Sequence, residues 1–124
     1  MYLLDTNILI YFLQGKKEVL SLLNRLNSEK FAISMVSRLE FLNGLQNEIF
    51  ITKEVEQYLD LFENITLDRE IVRTAALFSF KSFKKLKFRD LIIAATAVVR
   101  NRTLITADKD FRNFPGLKLK LLKV

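Results

Sequence analysis

The sequence predicts an α/β fold in which a parallel sheet is covered by helices on both faces. Three observations support this prediction: short apolar runs typical of buried strands, longer segments with apolar residues three or four positions apart, and the alternation of the two along the chain. Alternating strands and helices favour a parallel sheet because the helices form the crossovers. A length of 124 residues with no visible repeat or linker predicts one domain, residues 1–124.

The first half of the chain contains two predicted strands. The apolar residues before Asp5 form the first, and the apolar run after Asp5 has helical spacing that ends near Gly15. Leucines three or four positions apart then predict a second helix that ends near residue 27. The elements that follow are a strand at residues 31–34, a helix at residues 37–47 and a helix face at residues 55–62.

The second half begins with a predicted third strand at residues 65–67. Asp68 is suited to begin the next helix, because an aspartate side chain accepts hydrogen bonds from helix N-terminal amides. The most apolar helix, residues 91–99, follows Asp90, and a helix that is apolar on nearly all sides belongs in the centre of a fold. The remaining elements are a strand at residues 103–106, a turn at Pro115-Gly116 and an edge strand within residues 117–124.

The composition excludes several kinds of catalytic site. The chain contains neither cysteine nor histidine. This excludes a thiolate zinc site, a cysteine nucleophile, a Ser-His-Asp triad and ligation by imidazole. If the protein is an enzyme, carboxylates with a hard cation are the simplest catalytic groups that remain.

Basic residues are concentrated in the last third of the chain. Residues 1–80 carry 8 Lys/Arg and 11 Asp/Glu, a net charge of −3, whereas residues 81–124 carry 12 and 3, a net charge of +9. Scattered lysines usually form only a solubilising surface. Here they share a segment with candidate catalytic acids, which favours a polyanionic partner.

The sequence shows no signal for export or membrane insertion. Asp5 interrupts the apolar start, which does not fit a signal peptide. The longest apolar stretch, residues 91–99, is far shorter than the ~20 residues that cross a bilayer. We therefore expect a cytoplasmic protein.

Four acidic residues are predicted to meet at one edge of the sheet. Asp5 and Asp108 directly follow strand-like runs, and Glu40 and Asp90 lie at or near helix starts. In a parallel sheet with crossover helices, the carboxyl ends of the strands and the amino ends of the following helices share one edge. Ligands bind at this edge in open α/β sheets. We therefore expect the four acids to converge there.

Each acid also has a purely structural interpretation. Ser37 and Glu40 match a capping box, in which both side chains bind free helix amides. Asp90 is suited to complement a helix dipole, and Asp108 is suited to cap a helix. Asp5 is harder to explain in this way. A carboxylate at the end of a buried strand costs several kcal/mol unless it is paired or bound to a cation.

A divalent metal would explain why the acids gather. Clustered carboxylates repel one another, and a divalent cation removes that repulsion. Ligation by oxygen alone selects Mg²⁺, with Mn²⁺ as a substitute. Such a site suits phosphodiester hydrolysis, in which the metal orients the phosphate, activates water and stabilises the leaving oxygen. The number of ions, one or two, stays open.

Neighbours of the acids are candidates for supporting roles. Thr6 and Asn7 fit either turn chemistry or hydrogen bonding to the metal-binding carboxylates. Asp110 fits a similar supporting role and a solvated turn equally well. Four basic residues just before Asp90 are candidates for contacts with a polyanionic partner: Lys84, Lys85, Lys87 and Arg89.

Five segments carry a resemblance to a known family. They are Leu4-Asp5-Thr6-Asn7-Ile8-Leu9, Ser37-Arg38-Leu39-Glu40-Phe41-Leu42-Asn43-Gly44, Asp90-Leu91-Ile92-Ile93-Ala94-Ala95-Thr96-Ala97, Thr106-Ala107-Asp108-Lys109-Asp110-Phe111 and Pro115-Gly116-Leu117. In order and spacing they resemble the PIN-domain nucleases, and most of all the VapC toxins of type II toxin–antitoxin pairs. The segments span nearly the whole chain, and their combination is specific although each alone is weak.

This resemblance implies a three-layer α/β/α sandwich around a short parallel sheet. It implies a Mg²⁺-dependent endoribonuclease whose metal is held at Asp5, Glu40, Asp90 and Asp108. The four basic residues before Asp90 are then candidates for contacts with RNA phosphates. It also implies a homodimer, and inhibition by a cognate antitoxin whose tail blocks the active-site groove.

Three other functions fit parts of the sequence. The same nuclease chemistry would also serve RNA processing outside a toxin–antitoxin pair, and the sequence does not separate these two roles. A non-catalytic RNA-binding module is disfavoured because all four acids are present. A phosphotransfer domain with Asp5 as nucleophile is disfavoured because such sites often place a second acid two residues later, where this chain has Asn7.

Overall fold

Five parallel strands form the centre of the fold. The structure is a computed structural model, and it describes residues 1–26, 31–45, 53–82 and 86–124. The strands are β1 (Tyr2–Leu4), β2 (Phe31–Ser34), β3 (Glu63–Ile65), β4 (Thr103–Thr106) and β5 (Leu119–Leu121). They lie in the order β3-β2-β1-β4-β5, and every neighbouring pair is parallel. This confirms the prediction of a parallel α/β sheet.

Helices lie between successive strands. Among the described residues they are α1 (Thr6–Leu13), α2 (Lys17–Leu26), α3 (Met35–Asn43), α4 (Lys53–Leu59), α5 (Arg69–Lys81) and α6 (Phe88–Val99). A short 3₁₀ helix at Lys109–Asn113 precedes β5. No helix in the described part of the chain is both long and apolar enough to cross a membrane.

Alternate residues of the strands enter two separate cores. Leu3 and Leu104 pack with buried residues of α5 and α6. Leu4 and Ile105, their neighbours in sequence, pack with buried residues of α1, α2, α3 and α4. Successive side chains of a strand point to opposite faces of the sheet, so both faces are covered. The three-layer arrangement of helices, sheet and helices is therefore confirmed.

The order of the strands creates a crevice between β1 and β4. The chain passes from β1 outward through β2 to β3, and then returns to place β4 and β5 on the other side of β1. The connections on the two sides therefore diverge at the carboxyl ends of β1 and β4. In open α/β sheets this reversal point is where ligands bind.

The third strand lies two residues earlier than predicted. It occupies Glu63–Ile65, and Asn64 pairs with Ile33 of β2. The prediction of residues 65–67 was wrong because β3 is an edge strand, which pairs only with β2 and tolerates polar residues. The Asn64 amide donates to the carbonyl oxygens of Leu59 and Phe62, at 3.0 and 2.8 Å, and so fixes the turn that leads into the strand.

Helix α3 begins at Met35 rather than Ser37, and ends at Asn43 rather than near residue 47. The Ser34 hydroxyl caps it by accepting a hydrogen bond from the Val36 amide at 3.1 Å. The predicted capping box is therefore wrong, because Ser37 already lies inside the helix. Glu40 consequently lies more than one turn from the helix start. In the same way α6 begins at Phe88, so that Asp90 lies in its first turn instead of opening it.

Candidate active site

Asp5 lies at the crevice between β1 and β4 and has no solvent-exposed surface. Its backbone amide continues the pairing of β1 with β4 by donating to the Ile105 carbonyl at 3.0 Å. Its carboxylate caps α1, since Oδ1 accepts a hydrogen bond from the Thr6 amide at 2.7 Å. The other oxygen, Oδ2, accepts from the Thr106 hydroxyl at 2.7 Å and from the Asn7 amide at 3.3 Å. The strand-to-helix turn thus fixes both oxygens of Asp5.

Glu40 and Asp90 reach the same edge from helices α3 and α6, which contact each other. The Thr6 hydroxyl donates to Glu40 Oε1 at 2.6 Å, which ties α3 to the start of α1. Asp90 is almost fully buried in the first turn of α6. These two acids are 50 residues apart in the sequence, and each is brought to Asp5 by the helix that follows or precedes a strand of the central sheet.

The guanidinium of Arg89 lies among these three acids. Its Nη2 is 2.6 Å from Asp5 Oδ1, and its Nε is 2.6 Å from Glu40 Oε2. Its Nη1 forms an ion pair with Asp90 Oδ1. One cationic group therefore contacts carboxylates from three separate elements of the fold.

Asp108 lies beside this group at the end of β4. Thr106 links it to Asp5, because the Thr106 hydroxyl accepts a hydrogen bond from the Asp108 amide at 3.0 Å while donating to Asp5. The Asp108 carboxylate caps the 3₁₀ helix through the Asp110 amide at 2.9 Å, as its structural interpretation supposed. The side chain of Asp110 is exposed. Its contact with the site is through its backbone.

Burial and charge act in opposite directions on these groups. Burial raises the pKa of Asp90, the Arg89 guanidinium lowers it in part, and the negative charges of Asp108 and Asp5 raise it further. Burial also lowers the pKa of Arg89, but the contacts with Glu40 and Asp5 outweigh it and the net pKa is raised. Arg89 therefore stays charged, and the site is a cluster of acids that share one positive charge.

The donor atoms of this cluster are suited to a hard divalent cation. They are carboxylate oxygens, the ligands that Mg²⁺ and Mn²⁺ prefer, and they already surround a positively charged group. As the side chains stand, no three acids among the described residues form a ready metal site. The Arg89 guanidinium lies between these carboxylates. Asp5, Glu40 and Asp90 would hold the ion, with Asp108 next to them.

Two of the four predicted RNA contacts can be placed. Lys87 is exposed directly before α6, at the same edge as the acids. Arg89 is only 25% exposed and contacts the acids instead of lying free on the surface. Lys84 and Lys85 lie outside the described residues.

The sequence did not reveal Thr106 or the position of the Arg89 side chain. The pairing of Leu4 with Ile105 places Thr106 opposite Asp5, so knowledge of this register would have identified it. Arg89 is adjacent to Asp90 in the sequence, but only the meeting of three elements shows that it lies among the acids.

Comparison with known proteins identifies the family of this chain. The model of the PIN domain family matches residues 2–117, which includes all four acids. The chain belongs to the PIN domain family. A search of proteins with curated functions finds no match. VapC-type members of the PIN domain family are nucleases, which supports a nuclease activity for this chain.

Several solved structures superpose on nearly the whole chain. A toxin–antitoxin complex from Klebsiella pneumoniae has a chain 30% identical, with a TM-score of 0.80 over 94% of this chain and 95% of that one. VapBC-1 from nontypeable Haemophilus influenzae is 24% identical, with a TM-score of 0.81 over 97% and 96%. FitAcB from Neisseria gonorrhoeae is 24% identical, with a TM-score of 0.80 over 96% of both chains. The last two show the fold alone.

Proposed function

We propose that this protein is a Mg²⁺-dependent endoribonuclease that acts as the cytoplasmic toxin of a toxin–antitoxin pair. The main support is the meeting of Asp5, Glu40 and Asp90 around one cationic group at the reversal point of the sheet. Such a cluster is unfavourable in the interior of a protein unless a cation compensates it. Its position on a PIN-domain fold supports the hydrolysis of a phosphodiester bond.

Some residues of the site would hold the metal ion, and others position the carboxylates that hold it. Asp5, Glu40 and Asp90 supply the ligand oxygens, with Asp108 completing or supporting the site. Bound Mg²⁺ supplies charge neutralisation at the scissile phosphate and activation of a water molecule. The Thr6 hydroxyl fixes Glu40, and the Thr106 and Asn7 side chains fix the second oxygen of Asp5. These hydrogen bonds hold the carboxylates in place before substrate arrives.

Basic residues that precede α6 in the sequence provide the contacts to RNA. Lys87 projects from the chain directly before α6, and Lys84 and Lys85 precede it in the sequence. Cationic side chains along the acidic edge attract the phosphate backbone without reading its bases. The proposed binding is therefore electrostatic and sensitive to salt.

Metal-dependent cleavage of RNA by matched variants tests this function. We expect wild-type protein to cleave RNA with Mg²⁺ and to lose activity with EDTA. Asp5→Asn and Asp90→Asn should cleave at least about 100-fold more slowly while keeping the wild-type circular dichroism, since loss of one key electrostatic group costs about that factor. Asp60→Asn is the control, because Asp60 is an exposed acid that pairs only with Arg38 among the described residues. Mg²⁺-dependent cleavage by Asp5→Asn at the wild-type rate would refute the assignment.

Two protein partners belong to this proposal. The Klebsiella pneumoniae structure is a toxin–antitoxin complex, which supports a cognate antitoxin for this chain. Growth arrest on expression of the wild-type protein, relieved by co-expression of a small adjacent reading frame and absent with Asp5→Asn, would establish the toxin role. Cleavage of RNA without growth arrest would instead favour RNA processing.

The second proposed partner is another copy of the chain. Helices α5 and α6 expose an apolar face that includes Phe80 and Phe88, which are 83% and 82% exposed. Burying this face against a second copy would remove it from water. We expect a dimer mass by light scattering for the wild-type protein and a monomer mass for Phe80→Ser. Leu61→Ser, which removes an apolar group that is 75% exposed elsewhere, should leave the dimer intact.

A further inference from the structure

Arg89 uses all three sides of its guanidinium on the acids of the site. Nε faces Glu40, Nη2 faces Asp5 and Nη1 faces Asp90. An arginine that merely neutralised the region would reach one carboxylate and leave its other nitrogens in water. Contact with three carboxylates therefore places the Arg89 guanidinium at the centre of the acidic cluster.

The oxygens that face Arg89 are also those that a metal needs. Each oxygen of Glu40 has a partner, because Oε1 accepts from Thr6 and Oε2 faces Arg89. Asp5 Oδ2 accepts from Thr106 and Asn7, whereas Oδ1 accepts from the Thr6 amide and has Arg89 Nη2 at 2.6 Å. A guanidinium at these distances and a bound cation cannot occupy the same space. One must leave for the other to enter.

We infer that Arg89 is an internal competitor for the metal: it occupies the cation position in the metal-free protein and must swing out before metal binds. This inference rests on the proposed function, and it concerns how the site is filled. The Arg89 side chain is a quarter exposed, so a path to solvent exists. Its backbone lies beside Asp90 in the first turn of α6, so rotation of the side chain alone can vacate the site.

The competition has two opposite consequences for the protein. In the absence of metal, Arg89 compensates the buried charge of Asp5, which would otherwise be costly. In the presence of metal, the same contact lowers the apparent affinity, because only the fraction of molecules with Arg89 displaced is competent to bind. If that fraction is about one tenth, the apparent affinity falls about tenfold.

Calorimetric titration with Mn²⁺ measures this competition without any assay of cleavage. We expect Arg89→Ala to bind Mn²⁺ about tenfold more tightly than the wild type. We also expect it to unfold at a lower temperature without metal and to gain more in melting temperature on adding Mn²⁺. Lys87→Ala is the matched control. It removes one positive charge two residues away, from a side chain that forms no ion pair with any described residue, and it should change the affinity less than twofold.

The outcomes separate this inference from the proposed function. Equal or weaker Mn²⁺ binding by Arg89→Ala, with normal binding by the wild type, would overturn the competition and leave the metal site in place. An equal gain in Arg89→Ala and Lys87→Ala would also overturn it, since charge alone would then explain the effect. Failure of the wild type and of every variant to bind Mn²⁺ would overturn both the competition and the proposed metal-dependent function. If Arg89→Ala does not fold, Arg89→Gln provides the same comparison while retaining a polar side chain of similar shape.

Discussion

At the scale of single residues, Thr106 at the end of β4 links Asp5 to Asp108. Its hydroxyl donates to Asp5 Oδ2 at 2.7 Å and accepts from the Asp108 amide at 3.0 Å. Thr106 is fully buried. The hydroxyl therefore fixes the orientation of the Asp5 carboxylate.

Replacing Thr106 should therefore weaken both stability and the site. We expect Thr106→Val to lower the free energy of unfolding by about 1–3 kcal/mol, because a buried carboxylate loses its donor. Metal affinity should fall about 10-fold or more. Thr106→Ser retains the hydroxyl and should restore most of the affinity. Chemical denaturation and Mn²⁺ titration measure the two effects, and a Val variant with wild-type affinity would show that Thr106 does not position Asp5.

The sequence predicted which acids gather, but it did not predict how they are held. Asp5 and Asp108 were identified because each follows an apolar run, and the topology of a parallel sheet then places them at one edge. The contact of Thr106 with Asp5 depends on the register of β1 against β4. The contacts of Arg89 depend on side-chain conformation at the meeting of three elements. Local sequence spacing predicts neither the strand register nor the side-chain conformation.

At the scale of elements, alanine substitutions of two serines near the start of α3 should change the stability of the protein in different directions. Ser34 caps the helix, whereas Ser37 is fully buried and its hydroxyl has no hydrogen-bond partner among the described residues. Ser34→Ala should destabilise the protein by about 1 kcal/mol through loss of the cap. Ser37→Ala should be neutral or stabilising, because it removes a buried polar group that lacks a partner.

Urea denaturation of the two serine variants distinguishes this helix start from the one expected from the sequence. If the capping box at Ser37 and Glu40 existed, Ser37→Ala would be the destabilising change and Ser34→Ala nearly neutral. That reversal would contradict the observed boundary of α3.

A second element-scale contact joins α4 to α1. The Tyr58 hydroxyl donates to the Leu9 carbonyl at 2.7 Å, and the ring packs against the rings of Phe12, Phe41 and Phe62. Burial raises the pKa of Tyr58 to about 12 from an ordinary value of 10.0. The neutral phenol is therefore the form that the folded protein favours.

This shift predicts a loss of stability at alkaline pH. Because the folded pKa lies above the unfolded one, the contribution of Tyr58 is fully present below pH ~10 and is lost as the pH rises toward ~12. We expect the stability difference between wild type and Tyr58→Phe to shrink across this range. Urea midpoints measured at intervals of pH test it, and a difference that stays constant to pH 12 would show that the folded and unfolded tyrosine titrate alike.

At the scale of the whole molecule, positive charge lies at both edges of the sheet, whereas the four acids of the candidate site lie at one of them. Arg102 and Lys118 lie where β4 and β5 begin, opposite the acids, and Arg102 is paired with Glu63. Lys87 lies at the acidic edge. The net charge of the last third of the chain therefore overstates the charge available to RNA.

Matched lysine variants test which edge binds RNA. We expect Lys87→Ala to weaken the binding of single-stranded RNA to Asp5→Asn protein and to reduce the slope of log K against log salt by about 0.7. Lys118→Ala, which removes an exposed lysine from the opposite edge, should change neither. Fluorescence anisotropy at several salt concentrations provides the measurement. Equal losses from both variants would show that the binding is not confined to the acidic edge.

The class of the fold was predictable from the alternation of strands and helices, and its layers from the burial expected of apolar runs. The order of the strands was not predictable, because local periodicity does not show which distant segments pair. β3 was misplaced for a related reason, since an edge strand that pairs on one side needs little apolar sequence. The central strands β2 and β4, which are buried on both faces, were placed at their observed positions.

The central claim is that distant carboxylates meet at one edge of the sheet to bind a divalent cation. Anomalous diffraction from crystals of the wild-type protein soaked in Mn²⁺ tests it most directly. The account predicts an anomalous peak within coordination distance of the carboxylate oxygens of Asp5 and Asp90, with the Arg89 guanidinium turned away from them. Crystals saturated with Mn²⁺ that show no peak at this edge, with Arg89 still among the acids, would contradict it.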